Sequence, residues 1–380
     1  MNIDRRTFAG GVLLTALAAG GPLARAAAAV GDPTQGDWRA FDDYLKGLAT
    51  AGSFSGAVLV AKNGRPILRS AYGMADKSKN EANSPETLFC IGSMGKMITS
   101  VAVAHLVQRG RLAFQDTIGK YVRGFPSEIA DRVTVHHLLT HTSGMGEVPG
   151  QEDDHSQVDI DVLMKGIVKQ PLDFEPGTRM QYSNAGFIVL GAIVQHVGKQ
   201  KYTHYVREHI LAPARMHHTF FGSWTPDKVP HMAHPYALFD ADGQWIGMPT
   251  PNGAVPEGEL RDLGDRPDGA TPAGGALSTV GDMFRFAQAL LGHRLLNARL
   301  TQTIMEGKVQ GQNPDAMYAY GFSDEKRNGT RIVGHNGGIA GYWSELDMYP
   351  TKGYTIVFLT NQDFALFEPL RKSRSLVTGG

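Results

Sequence analysis

Strand patterns stand at both ends of this chain and helical patterns fill its middle, and that arrangement restricts the fold more than any other feature. Gly56-Ala57-Val58-Leu59-Val60-Ala61 reads as a buried strand, followed by a turn at Lys62-Asn63-Gly64 and a second strand at Pro66-Ile67-Leu68-Arg69. Strand patterns return from about residue 331: Arg331-Ile332-Val333, then Tyr342 to Tyr349, then Tyr354 to Leu359 after a turn at Pro350-Thr351-Lys352-Gly353. Between about 85 and 300 apolar residues recur at helical spacing. Ser93 to Arg109 carries Met97, Ile98, Val101, Leu106 and Val107 on one face, and 185–196 and 281–291 have the same character. Residues 38–50, with Phe41, Tyr44, Leu45 and Leu48, add an amphipathic helix before the first hairpin. The expected fold is therefore α+β: one antiparallel sheet formed by both chain ends, with a mainly helical lobe inserted into it. The sheet lobe is expected over about 36–80 plus 315–362 and the helical lobe over about 81–314. Residues 363–380 read as a short C-terminal tail, because Pro369 interrupts the apolar stretch Phe364 to Leu370. A ligand cleft is expected where lobe and sheet meet.

The first residues read as a targeting segment. Asp4-Arg5-Arg6-Thr7-Phe8 precedes a weakly apolar stretch, Ala9 to Gly21, and then Ala24-Arg25-Ala26, which suits cleavage. The stretch is shorter than the ~20 residues a membrane span needs, so no stable membrane anchor is expected. The paired arginines and low hydrophobicity match a twin-arginine signal over residues 1–26, and an ordinary secretory signal is the alternative. Either way a periplasmic or secreted protein starting near Ala27 is expected, with the export machinery as its partner. Lys plus Arg and Asp plus Glu number 37 each, and no basic stripe appears, so nucleic acid is not an expected partner. Cys90 is the single cysteine, which excludes an intrachain disulfide and suits a route that carries folded protein. It lies three residues before Ser93, and without a local histidine partner it reads as a buried structural thiol.

Three short motifs carry chemistry. In Ser93-Met94-Gly95-Lys96 the two polar residues share a helix face, so Lys96 can reach the Ser93 hydroxyl at a helix start that favours an oxyanion. The pattern is unspecific by itself, since Ser323-Asp324-Glu325-Lys326 repeats it in what reads as a polar turn. In Tyr182-Ser183-Asn184 a tyrosine near an ammonium group has its phenolate favoured and can act as a base, and the asparagine can bind a substrate carbonyl. A helix cap with a packed tyrosine is the plainer alternative. His335-Asn336-Gly337-Gly338 ends a strand, where glycines let the backbone approach a ligand; a plain turn is the alternative. His137 and His141 stand four apart, but no third ligand is evident, so no metal is expected. No Gly-x-Ser-x-Gly occurs.

The order Ser-x-x-Lys, Tyr-x-Asn, His-x-Gly resembles the serine β-lactamase and penicillin-binding protein superfamily. Leu138-Leu139-Thr140-His141-Thr142-Ser143-Gly144, Phe174-Glu175-Pro176-Gly177-Thr178 and Pro272-Ala273-Gly274-Gly275 resemble further segments of its branch of class C β-lactamases, D-alanyl-D-alanine carboxypeptidases and β-lactamase-like esterases. The resemblance covers about 36–362. It implies a β-lactamase-like fold and a serine hydrolase that needs no cofactor. It implies Ser93 as nucleophile, Lys96 and Tyr182 as proton carriers, and Asn184, His335, Asn336 and Gly337 as substrate-binding residues. The backbone N–H groups of Ser93 and Gly338 would form the oxyanion hole. The expected substrate is a small ester or amide. A D-amino-acid peptide, a β-lactam, or a non-catalytic binding role are the alternatives. His335 and Asn336 replace the lysine and threonine usual in β-lactamases, and an ordinary histidine pKa of about 6.5 implies that His335 attracts a substrate carboxylate weakly at pH 7 and better near pH 6.

Overall fold

The computed structural model describes residues 32–149, 156, 158–247 and 255–380; the expected export segment, residues 1–26, lies outside them. Helix α1 (Gln35–Thr50) opens with a capping box in which the Thr34 side chain accepts from the Asp37 N–H and the Asp37 carboxylate accepts from Thr34. Its buried face is Trp38, Phe41 and Leu45. The hairpin β1 (Gly56–Lys62) and β2 (Arg65–Tyr72) follows. A single 3₁₀ turn, Gly92–Met94, leads into the buried helix α2 (Gly95–Gln108), and the helical lobe continues through α3 (Val135–Leu139), α4 (Asn184–Gly198) and α5 (Val280–Leu291). The chain then returns to the sheet as β3 (Val309–Gln310), β4 (Ala316–Tyr318), β5 (Ser323–Arg327), β6 (Thr330–Ile339), β7 (Tyr342–Tyr349) and β8 (Tyr354–Thr360), and closes with α6 (Phe367–Thr378).

These strands form one eight-stranded antiparallel sheet in the order β3-β4-β5-β6-β7-β8-β1-β2. The two chain ends meet within it, one strand from the β2 edge, where β1 pairs with β8 from Gly56↔Thr360 to Lys62↔Tyr354. Strand residues alternate between faces. Ala57, Leu59, Ala61, Val357 and Leu359 join the large core with Met97, Val101 and Phe286 of the helical lobe. Val58, Val60, Ile356 and Phe358 face the other way, onto Trp38 and Phe41 of α1 and Val377 of α6. The molecule is thus layered as helical lobe, sheet, then two terminal helices. The α+β architecture expected from the sequence is the one observed.

The third motif lies at the end of a strand, as expected, and is not a plain turn: β6 runs through it to Ile339, paired to β7 from Val333↔Met348 to Ile339↔Tyr342. That pairing outweighs the weak strand preference of its glycines, although β5 pairs with β6 only as far as Gly334. Two local expectations need correction. Ser323-Asp324-Glu325-Lys326 is strand β5 rather than a turn, which sends Ser323 and Lys326 to opposite faces. Residues 363–380 are not a loose tail. Pro369 stands in the first turn of α6, where a missing N–H deprives the helix of nothing, so the helix forms through it.

Candidate active site

Ser93 sits in the 3₁₀ turn that starts α2, at the seam between lobe and sheet. The seam is tight because glycines permit it. Gly92 is left-handed (φ +47°), and a Cβ there would stand 2.8 Å from the Gly338 nitrogen; one on Gly337 would stand 2.1 Å from the Ile91 carbonyl oxygen. The Ser344 hydroxyl donates to Ile91 O at 2.9 Å and ties the same turn to β7. The backbone of Gly337 and Gly338 therefore lies directly against the turn that carries Ser93.

Lys96 follows one turn on and is wholly buried. Its Nζ lies 3.2 Å from Ser93 Oγ, 2.7 Å from Asn184 Oδ1 and 2.5 Å from the Ala273 carbonyl oxygen. The rings of Tyr182 and Phe187 stand 4.7 and 5.4 Å away. Desolvation lowers the Lys96 pKa to about 7, against a smaller opposing pull from Glu147. An ammonium would use all three acceptors. A neutral amine would donate to Asn184 and Ala273 and turn its lone pair to the Ser93 hydroxyl, the longest of the three contacts. Ala273, in the Pro272-Ala273-Gly274-Gly275 segment, thereby supplies a carbonyl whose part the sequence did not disclose. Cys90 is buried and its thiol pKa is raised by desolvation, as suits a structural residue.

The second motif caps α4. Ser183 Oγ accepts from Gly186 N–H and donates to the Gly146 carbonyl, both at 2.9 Å. The capping and chemical readings of this motif therefore coexist, with Ser183 as cap and its neighbours facing the nucleophile. Burial pushes the Tyr182 phenol well up, offset in part by the Ser93 side chain. The phenolate expected from the sequence is thus disfavoured: the ammonium that was to stabilise it is itself desolvated, and Tyr182 holds its proton.

His335 departs from expectation most. Only 4% exposed, it turns into the protein, with Nε2 3.0 Å from Tyr318 Oη and Nδ1 2.5 Å from the Asn336 carbonyl. Burial lowers its pKa to about 4. A buried neutral imidazole cannot read substrate charge, so the charge-reading role fails; Asn336 is the exposed residue of this motif. His141, left-handed at φ +58° just past α3, completes the arrangement. Its Nδ1 accepts from Ser183 N–H at 3.0 Å, so Nε2 carries the proton and faces Tyr318 Oη at 3.0 Å; Tyr318 then donates to His335. One ordered run of hydrogen bonds joins the second motif to the third, and Tyr318 at its middle carried no sequence signal. His137 instead takes part in the Thr134 capping box, so the two histidines share no ligand position. Glu147 was also missed: its Oε2 accepts from Asn184 Nδ2 at 2.8 Å. Away from the cleft, Asp76, His234 and Asp262 approach one another, with the Lys79 ammonium 2.7 Å from Asp76.

The fold and this arrangement define a class. The profile of the beta-lactamase family matches residues 41–377, and the chain belongs to that family, within the β-lactamase-like serine hydrolase superfamily. Penicillin-binding protein 4* of Bacillus subtilis (strain 168) is 27% identical over 325 residues, covering 82% of this chain and 68% of that protein. Protein flp of Staphylococcus aureus (strain MW2) is 30% identical over 318 residues, 80% of this chain, which spans 59% of the length of flp. The crystal structure of a penicillin binding protein from Bacillus halodurans superposes with a TM-score of 0.73 at 26% identity, covering 87% of this chain and 99% of that one.

Proposed function

We propose that this protein is an esterase or amidase that works through an acyl-enzyme on Ser93. The observation that carries the reading is Lys96: a buried amine 3.2 Å from a serine hydroxyl, held near neutrality by desolvation. Neutral Lys96 takes the Ser93 proton as Oγ attacks the substrate carbonyl. The N–H groups of Ser93 and Gly338 receive the developing oxyanion. Tyr182 gives its phenolic proton to the leaving alcohol or amine and is reprotonated from the Lys96 ammonium. Water then releases the acid, with the same groups in reverse roles. The names of the curated relatives favour a second reading, a D-alanyl-D-alanine carboxypeptidase or D-amino-acid peptidase, which would show as release of D-alanine. Burial of His335 leaves the third motif without a cation, which weighs against efficient hydrolysis of β-lactams. The reading includes export through the N-terminal segment, with a periplasmic or secreted site of action.

A fluorophosphonate probe followed by peptide mapping tests the centre of this reading. One adduct is expected, on Ser93, absent from Ser93→Ala and retained in Ser323→Ala. Labelling that survives Ser93→Ala would remove Ser93 as the nucleophile.

A further inference from the structure

Asp76, His234 and Asp262 each offer a ligand atom, and those atoms lie within 4.8 Å of one another, away from the catalytic cleft. Asp76 and His234 are buried, at 2% and 5% exposure, and both are fixed in place. Asp76 Oδ1 accepts from Ser78 N–H at 2.8 Å, Ser78 Oγ at 2.6 Å and Lys79 N–H at 3.2 Å. Its buried Oδ2 receives no hydrogen bond; the Lys79 ammonium stands 2.7 Å off as an ion contact. His234 N–H donates to the Ala75 carbonyl at 2.8 Å, and the ring lies so close to Gly264 that a Cβ there would stand 2.2 Å from Nδ1. Both Asp262 carboxylate oxygens lie 3.1 Å from Nδ1, so Nδ1 carries the proton and donates to them. Asp262 is held in turn by Gly264 N–H at 2.8 Å.

Nε2 is then a lone pair. It faces two carboxylate oxygens, Asp76 Oδ2 and Asp227 Oδ1, each at 3.5 Å. A ring protonated on both nitrogens would draw one of them in to about 2.7–2.9 Å, and neither has come in. The spacing is instead that of ligand atoms around one small divalent cation: metal–ligand distances of about 2.0–2.2 Å in a tetrahedron set the ligands about 3.3–3.5 Å apart. A cation already spans the same two oxygens, for Lys79 Nζ lies 2.7 Å from Asp76 Oδ2 and 3.6 Å from Asp227 Oδ1. The Lys79 side chain is 59% exposed, so it can swing out into water.

We propose that Asp76 Oδ2, Asp227 Oδ1 and His234 Nε2 bind a divalent transition-metal cation of the zinc class, with water as the fourth ligand and Lys79 displaced. An imidazole nitrogen among carboxylates favours zinc over magnesium or calcium, which take oxygen ligands. Asp262 on the far ring nitrogen is the partner a metal-bound histidine requires, and it makes Asp262 a positioning residue. Asp227 is half-exposed and free to close on the ion. The ion would clip the turn after Met74–Asp76 to residues 226–234. Those residues support the approach to the nucleophile: Leu88, shortly before Ser93, donates to His231 O at 2.8 Å and accepts from Ala233 N–H at 2.9 Å. The ion's role is structural. It takes no part in acyl transfer, and the proposal stands apart from the acyl-enzyme reading.

The test titrates chelator-treated protein with ZnCl2 against a chromogenic zinc indicator and reads Tm alongside. Wild type should take up one Zn²⁺ and gain Tm as its concentration rises, while MgCl2 at the same concentrations should not raise it. Asp262→Asn should weaken zinc binding by about 10–100-fold. Asp227→Asn and His234→Gln should lose the ion to the indicator, whereas Lys79→Gln, which removes the competing ammonium, should bind it more tightly. Asp227 and Lys79 lie at the surface, so their variants decide the matter even where His234→Gln does not fold. Zinc affinity unchanged in Asp227→Asn and in folded His234→Gln would assign the ion to other histidines. An equal Tm rise with MgCl2 would reduce the site to screened carboxylates. Either result overturns the proposal, as does weaker zinc binding by Lys79→Gln.

Discussion

Lys96 has no contact with solvent, and a lysine in that position is useful only if it can be neutral. Desolvation brings its pKa to about 7, so the amine fraction rises as pH rises through neutrality. The kcat/KM of a neutral ester should therefore climb between pH 6 and 8 with a midpoint near 7, then level off. Lys96→Ala and Tyr182→Phe should each lower it by about 10²–10⁴-fold, and their combination should lose far less than the product, because the two act on one proton path. A Tyr182→Phe enzyme with near-normal turnover would take the phenol out of that path. His335, whose pKa falls to about 4, should leave no inflection at 6.5 in the profile of an anionic substrate. The residue types of this site were legible in the sequence, because Ser93, Lys96, Tyr182 and Asn184 fall in short motifs. Their states were not. Whether a histidine meets substrate or core depends on which face of β6 it occupies, and Tyr318, which fixes that face, lies in an unremarkable stretch of strand.

Helix α6 shows the same limit at the next scale, because charge holds it in addition to the packing of Val377. Arg374 reaches Asp347 at 2.8 Å, Glu345 at 3.2 Å and Glu325 at 3.5 Å, on the sheet face beneath the helix. Three carboxylates outnumber the guanidinium, and desolvation pushes Glu345 up to about 8, so it stays protonated at neutral pH and can donate to Asp347. Residues so far apart in sequence cannot be matched from local pattern, and Pro369 alone argued for a break. By contrast β1, β7, β8 and α5 were legible nearly to their ends, since apolar periodicity specified them. Removing the arginine strands buried acids, so Arg374→Ala should destabilise the protein by about 3–5 kcal/mol, read as a fall in the denaturant midpoint. The raised Glu345 pKa gives the pH dependence its sign. Folding takes up a proton here between the unfolded carboxyl value of 4.5 and about 8, so this contribution to stability is complete below 4.5 and is lost as pH rises to 8. Glu345→Gln should accordingly show a Tm that falls less than wild type from pH 5 to 8. Parallel Tm curves for the two proteins would mean that Glu345 is already ionised in the fold.

At the scale of the whole molecule, the sheet cannot close until its last strand exists. Residues 56–62 pair with 354–360, so β1 waits for almost the entire chain before it gains its second neighbour. Such long-range pairing makes folding a late, global event rather than a domain-by-domain one. No disulfide is required for it, because Cys90 is the single cysteine and lies buried. Folding can therefore finish in a reducing compartment. We propose that a chain with these properties takes a route that moves folded protein, with Arg5-Arg6 before Phe8 as the signal expected from the sequence. The general secretory route would instead have to keep the chain open until export. We expect the double substitution Arg5→Lys, Arg6→Lys to block export and to leave the protein in the cytoplasm in a folded state. That state is recognisable: compact, resistant to proteolysis, and labelled on Ser93 by a fluorophosphonate as fast as the exported wild type. Fractionation with protease digestion and probe labelling distinguishes the outcomes. Unimpaired export of the double variant would assign the chain to the general secretory route. Retained but protease-sensitive, unlabelled protein would show that folding does not precede transport, and the link drawn here between a disulfide-free, end-closed sheet and the export route would fail.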